Sequence, residues 1–242
     1  MPAPVSFEPG YVLHARPWRE TSLLLECLTA EHGRIGLIAR GVRGARTQTA
    51  RADLQPLRRL RLSYSRQGEL GRLHAAELVA LHALSGEALL AALYVNELLV
   101  RLLLREDAHA RLFAQYQTLL EQLTGARASA WLLRRFERDL LGAMGYAPLL
   151  DCEAESGAPV QAGLRYAYVP ERGPLRWQPQ LGGRGVSGAA LLALAHDQPP
   201  ATQDLPDLRR LLRELISVHL GGRALTSWSL AGLARSHPHA AD

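Results

Sequence analysis

Apolar and polar positions follow two different rhythms along this chain. Over the first third they come as short segments bounded by Gly, Pro or charged turns: "YVLHARPW" (Tyr11–Trp18), "TSLLLECLT" (Thr21–Thr29), "RIGLIAR" (Arg34–Arg40), "LRRLRLSYS" (Leu57–Ser65) and "GELGRLHAAEL" (Gly68–Leu78). Such segments predict five strands. From Leu60 the fourth alternates, with Leu60, Leu62 and Tyr64 set against Arg61 and Ser63, as in a strand with one face buried and one basic face wet. Five short strands, with a long loop between the third and fourth, predict a small closed barrel of the OB-fold kind. Its open face and loops commonly take oligonucleotides.

From about Leu84 the spacing becomes helical. "GEALLAALYVNELLVRLLLRED" places Leu89, Leu93, Val100 and Leu104 to one side. "ARLFAQYQTLLEQLTG" gives a stripe of Leu112, Tyr116, Leu119 and Leu123 that ends at Gly125. "ASAWLLRRFERDLLGAMGY" uses Leu133, Phe136, Leu140 and Met144. Short connections predict antiparallel neighbours packed as a bundle. The Pro- and Gly-rich stretch Ala147–Gly185 reads as a small β-excursion, and a last helix runs from an expected N-cap at Asp204 to Gly221–Gly222. The expected fold is therefore α+β: an N-terminal five-stranded OB-fold barrel over residues 1–80, then a helical-bundle domain over 81–242 with the β-excursion at about 147–185.

Composition adds class and compartment. About half of the 242 residues are apolar, and neither a membrane-spanning run nor a signal-peptide pattern is visible, so a cytoplasmic protein is expected. Two distant cysteines, Cys27 and Cys152, exclude a disulfide framework and a cysteine-rich metal site. The net charge of +5 is unevenly placed: residues 1–72 hold 12 Arg against 6 acids, residues 73–242 hold 16 Arg against 17. All basic residues are arginine, whose planar fork pairs phosphates bidentately and stacks on bases.

Within "LIARGVRGARTQTARADLQP" (Leu37–Pro56) and just before it, no acid interrupts Arg34, Arg40, Arg43, Arg46 and Arg51 between Glu31 and Asp53. Glycines and small polar residues separate these arginines, as in a mobile loop. With Arg58, Arg59 and Arg61 on the next strand they form a candidate surface for a phosphate backbone, with affinity that weakens as salt rises. Trp18 and Tyr64 are the candidates for base stacking, although the alternation assigns Tyr64 to the core. A second constellation lies on the helix Ser129–Tyr146, where Trp131, Arg134, Arg135 and Arg138 share an arc of roughly 100°. An exposed tryptophan ringed by arginines would suit an acidic-aromatic peptide. The alternative, favoured on periodicity alone, is arginines paired to Glu137, Asp139 or other acids and Trp131 packed on a neighbouring helix.

For catalysis the sequence offers no P-loop, nucleophile elbow, HExxH or paired-carboxylate cluster, so an enzyme is not expected. The order of features resembles the RecO family of bacterial DNA repair and recombination proteins. The resemblance rests on "YVLHARPWRETSLLLECLTAEHGRIGLIARGVRGAR", "LQPLRRLRLSYSRQGELGRLHAAE", "LYVNELLVRLL", "LLRRFERDLLGAMGY" with the following "GAPV", and "HLGGRALTS". It implies an OB-fold and a helical C-terminal domain, binding of single- and double-stranded DNA, annealing of complementary strands, and RecA loading on coated DNA with RecR. It also implies binding of the acidic, Phe-ending C-terminal tail of the single-stranded-DNA-binding protein, with Arg134 and Arg135 as receptor; Trp131 extends that motif. The expected place is the cytoplasm, in association with the nucleoid. Some family members carry a four-cysteine zinc site in the β-excursion. Here only Cys152 stands there, so no zinc or other cofactor is expected and the segment would be held by packing alone. The family often has a basic residue after "LxS", where this chain has Trp228 after Ser227. An RNA-binding OB-fold adaptor is the alternative, since a barrel alone does not tell DNA from RNA.

Overall fold

The computed structural model describes residues 4–42, 52–66, 68–125, 130–179 and 184–228. Five strands, β1 (Val5–Trp18), β2 (Ser22–Thr29), β3 (Gly33–Ala39), β4 (Arg58–Ser65) and β5 (Gly71–Leu81), close into a barrel in the order β1-β2-β3-β5-β4. Neighbours run antiparallel except β3 and β5, which meet in parallel at Leu37–Gly71 and Ile38–Arg72. This is the five-stranded OB-fold barrel expected from the strand rhythm.

Period-two patterning builds the core. Leu23, Leu25 and Cys27 of β2, Ile35, Leu37 and Ala39 of β3, and Leu60, Leu62 and Tyr64 of β4 point into one apolar cluster. Gly71, where β5 meets both neighbours, has no room for a side chain: a Cβ there would lie 2.8 Å from the Ser65 carbonyl oxygen of β4 and 2.9 Å from the Leu37 side chain of β3. One end of the barrel is sealed by the buried carboxylate of Glu8, which accepts hydrogen bonds from the amides of Glu31 (2.8 Å) and His32 (3.2 Å) and from the Tyr64 hydroxyl. Burial, then the adjacent Glu8 carboxylate, pushes the Tyr64 hydroxyl pKa up. Glu8, Glu31 and His32 bring possible metal-ligand atoms within 4.8 Å of one another, but both Glu8 oxygens are already satisfied by these donors.

The chain divides into two compact units, one comprising Met1–Ala128 with Leu225–Asp242, the other Ser129–Ala224. The barrel's unit includes α1 (Gly86–Leu102) and α2 (Ala110–Gly125). Buried Asn96 on α1 joins it to the barrel, donating to the Leu13 carbonyl at 2.9 Å and accepting from the Tyr116 hydroxyl of α2 at 2.6 Å. The α2 stripe of Leu112, Tyr116, Leu119 and Leu123 is buried as its spacing predicts. The α1 stripe is different: Leu93 and Leu104 are exposed, while Ala92, Val95, Asn96 and Leu99 are buried. This helix is apolar on most of its circumference, so the hydrogen-bonding need of Asn96, not hydrophobic contrast, marks its inner face. At the far end of the chain Leu225 is buried, and the amides of Thr226 and Ser227 donate to the two carboxylate oxygens of Glu97 on α1, at 2.8 and 2.9 Å.

The second unit contains α3 (Ala130–Ala143), a three-stranded sheet of order β7-β6-β8 made from β6 (Arg165–Val169), β7 (Gly173–Arg176) and β8 (Val186–Ser187), then α4 (Gly188–Ala195) and α5 (Leu205–His219). The β-excursion is not held by packing alone. Buried Glu153, one residue after Cys152, accepts from Ser156 Oγ (2.7 Å) and Arg176 Nε (2.8 Å), so a carboxylate network ties the segment together. Asp204 precedes α5, but its side chain makes no cap; it accepts from Ser187 Oγ at 2.7 Å instead. The apolar α4 has no polar face to announce it in the sequence.

Candidate nucleic-acid interface

Register defines which side chains point out of the barrel, and of these Ser22 (7%) and Leu24 (5%) are themselves covered, leaving the row ends exposed. Inward residues of β2 and β3 are Leu23, Leu25, Ile35, Leu37 and Ala39, so Ser22, Leu24 and Glu26, with Arg34, Gly36 and Ile38, point outward. Across β1 and β2, Trp18 is opposite Ser22 and Arg16 opposite Leu24. Arg40 follows Ala39, itself opposite Leu23, so it continues the outer row beside Ser22. One row therefore runs Trp18–Ser22–Arg40, and the next runs Arg16–Leu24–Ile38–Arg72. Arg16, Arg40 and Arg72 are exposed and Trp18 is half-buried. The Arg16 guanidinium lies 5.9 Å from the Trp18 ring centroid, within cation–π range.

Arg40 opens the cationic segment. Val42 beyond it and Leu54 near its end are both buried in the barrel core, and the Leu57 amide donates to the Val12 carbonyl at 3.1 Å. Both ends of the segment are thus fastened to the barrel. Arg43, Arg46 and Arg51 lie outside the described residues. On β4, Arg58 pairs with Asp53 at 3.4 Å, Arg59 is opposite Tyr11 and Ala80, and exposed Arg61 is opposite Pro9 and Glu77.

Arg34 stands apart. It occupies the other end of β3 from Arg40, about 20 Å away along the strand. It pairs with Glu26 at 3.0 Å, and Arg105 reaches the same carboxylate across Gly36. Burial lowers the Arg34 pKa and the Glu26 charge opposes that shift. Tyr64, assigned to the core by the alternation of β4, is fully buried, which leaves Trp18 as the stacking candidate of the two.

The second constellation divides across α3. Trp131 is buried, at 9% exposure, and not displayed as an exposed ring: the inner face of α3 is Trp131, Arg134, Phe136, Glu137, Leu140 and Leu141. Arg134 is buried with Trp131 and pairs one turn on with buried Glu137, so a charged pair hides on the apolar side and rotates the face that hydrophobic spacing alone selects. Arg135 and Arg138 point elsewhere. Arg135 grips Asp197 through two hydrogen bonds of 2.7 and 2.6 Å, and Arg138 reaches Asp197 at 3.1 Å and the Leu194 carbonyl at 2.6 Å. The Arg135 hydrogen bonds hold the Asp197 carboxyl below its usual pKa and raise that of Arg135. A concavity of about 360 Å³ in this unit is lined by Leu141, one turn on from Arg138, with Tyr146, Tyr168, Leu215, Val218 and His219.

Sequence reasoning missed Arg16, Arg72 and Asp197. Arg16 and Trp18 are two residues apart on a strand and so share a face, a signal available in "HARPW". Asp197 had no local signal, because its partners lie about 60 positions away.

A closed OB barrel whose outward rows carry arginine is of the class that commonly handles nucleic acid. Comparison with known proteins narrows the class. Residues 6–82 match the family model described as recombination protein O N terminal, and residues 83–229 match recombination protein O C terminal. The chain is 46% identical over 237 residues to the DNA repair protein RecO of Xanthomonas oryzae pv. oryzae strain PXO99A, covering 96% of this chain and 98% of the relative. It is 45% identical over 236 residues to the DNA repair protein RecO of Xylella fastidiosa strain 9a5c, covering 96% and 97%. The chain belongs to the RecO family, and its role is in DNA repair and recombination. Among the described residues, no helix is long and apolar enough to cross a membrane.

Proposed function

We propose that this protein anneals complementary single strands and helps load RecA on coated DNA, together with RecR, while docked on the acidic tail of the single-stranded-DNA-binding protein. The observation that carries the reading is the arginine surface of the barrel: exposed Arg16, Arg40, Arg61 and Arg72 around a cationic segment whose ends are buried. Annealing requires no acid or base. Two strands repel, and guanidinium groups that neutralise phosphates on both lower the barrier to their encounter. Phosphate contacts of this kind carry no sequence preference. Arg16, Arg40, Arg43, Arg46, Arg51, Arg58, Arg59, Arg61 and Arg72 are the proposed DNA-contacting set. Arg34 is left out because Glu26 already holds it.

For the acidic tail, Arg135 and Arg138 are the proposed receptor. Two guanidinium groups already converge on a carboxylate, the arrangement that an acidic tail would use. Arg134 supports α3 from inside, paired to Glu137. Docking on the tail raises local concentration, so modest contacts at the barrel suffice.

The test is annealing of complementary oligonucleotides coated with the single-stranded-DNA-binding protein, either intact or lacking its acidic tail. Acceleration that depends on the tail is expected. Acceleration with both forms removes the tail receptor and keeps the DNA surface; acceleration with neither removes both. Replacing Arg40, Arg43, Arg46 and Arg51 with Ala is expected to weaken DNA binding and flatten its salt dependence, each phosphate contact contributing about one to the slope of log affinity on log salt.

A further inference from the structure

We infer that Trp18 is a nucleobase-stacking platform on the barrel, which makes this surface prefer single strands to duplex. The inference deepens the DNA-binding reading above and rests on it. Three observations converge on the ring. Trp18 ends β1, on the outward face, in the row that leads through Ser22 to Arg40. Its indole is half-buried and so seated on the barrel, yet part of it remains open to solvent. Its π system already accepts a guanidinium, that of exposed Arg16, at 5.9 Å.

This arrangement meets the physical requirement for sequence-neutral single-strand binding: a flat aromatic face for a base, with cations close enough for the flanking phosphates. Arg40 stands two strand spacings from Trp18, about 10 Å away. Arg16 lies beside the ring, 5.9 Å from its centroid, where an arriving base displaces it toward a flanking phosphate, and Arg19 follows on the hairpin turn, exposed and in a left-handed conformation (φ +53°). A base in a duplex is covered by its stacked neighbours, so it cannot offer its face to Trp18. An unstacked base in a single strand can. The arginines bind phosphates of both forms, and Trp18 adds affinity for only one of them.

Charge and stacking separate experimentally because only the first releases counterions. Binding of a fluorescent oligo-dT and of a mixed-sequence duplex is measured over a salt series for the wild type, Trp18→Ala, Trp18→Phe and Arg40→Ala. Trp18→Ala is expected to weaken oligo-dT binding roughly tenfold with an unchanged salt slope and unchanged duplex binding. Trp18→Phe retains a ring and is expected to fall between the two. Arg40→Ala is expected to lower the slope and weaken both ligands together. Oligo-dT is also expected to quench wild-type tryptophan emission, and Trp18→Phe to lose that quenching, a readout that does not depend on the alanine variant folding well. Equal weakening of single strand and duplex in Trp18→Ala, with quenching intact in Trp18→Phe, overturns the assignment. So does unchanged oligo-dT affinity. A wild type that binds neither oligonucleotide overturns the DNA-binding reading itself, a result distinct from either.

Discussion

At Asp197 the backbone takes a left-handed conformation, φ +57°, that a residue other than Gly adopts at some cost, and its carboxylate lies under Arg135 and Arg138. An acidic peptide arriving at these arginines has to take the place of Asp197. Asp197→Asn is therefore expected to strengthen binding of an acidic tail peptide several-fold, read by fluorescence anisotropy, while Arg135→Glu abolishes it. The pair is partly exposed, so its effect on folding at neutral pH is small, about 1 kcal/mol or less. The sign with pH follows from the depressed folded pKa of Asp197. Its contribution is fully present above the ordinary Asp value, about 3.9, and is lost as pH falls through the lower folded value. Urea titrations of wild type and Asp197→Asn are expected to differ at pH 7 and to draw together as pH falls below the ordinary Asp value.

The cationic segment and the strands that frame it were legible for physical reasons that α3 lacks. On β4 every second side chain from Leu60 enters the closed core, so alternation in the sequence maps onto burial, while β2, buried on both faces, reads as a continuous apolar run. On α3 the inner face contains the Arg134–Glu137 pair and Trp131. Periodicity still finds Phe136 and Leu140 of the buried face, and it favours the paired arginines and packed Trp131 that the structure has; what it does not mark is that Arg134 and Glu137 lie on the buried side, because a pair of buried charges satisfies itself without apolar spacing. The segment between β3 and β4 depends on its anchors. Leu54 is fully buried in the barrel cluster, and Leu54→Ala is expected to cost about 3 kcal/mol of stability by cavity formation, measured by denaturant unfolding. Arg40→Ala, at an exposed site, is expected to stay within about 0.5 kcal/mol. A loss at Arg40 as large as that at Leu54 would mean that the arginine holds the fold and is not reserved for a ligand.

Across the whole chain, charge asymmetry was visible from composition, since the cationic excess falls in the first 72 residues. The return of the C-terminal segment to the first unit was not, because the bonds from Thr226 and Ser227 to Glu97 join positions about 130 apart. Burial raises the Glu97 pKa, but hydrogen bonds from Ser227 and Thr226 outweigh it and the net shift is downward. The bond is thus strongest above the ordinary Glu value, about 4.3, and fades as pH falls below it. Hydrogen exchange of the Thr226 and Ser227 amides is expected to be slow at pH 6, after correction for intrinsic rates. Glu97→Gln is expected to speed it, and an unchanged rate in that variant would dismiss Glu97 as the anchor.

Glu97 also makes the first unit a closed ring of chain, with Ser129–Ala224 spliced into it. A folded insert shortens the span of chain that has to close on itself. Once it melts, holding Leu225–Trp228 on α1 requires a long random coil to close on itself, an entropic penalty on the order of a few kcal/mol. Unfolding of the insert is therefore expected to loosen the C-terminal segment by polymer statistics alone.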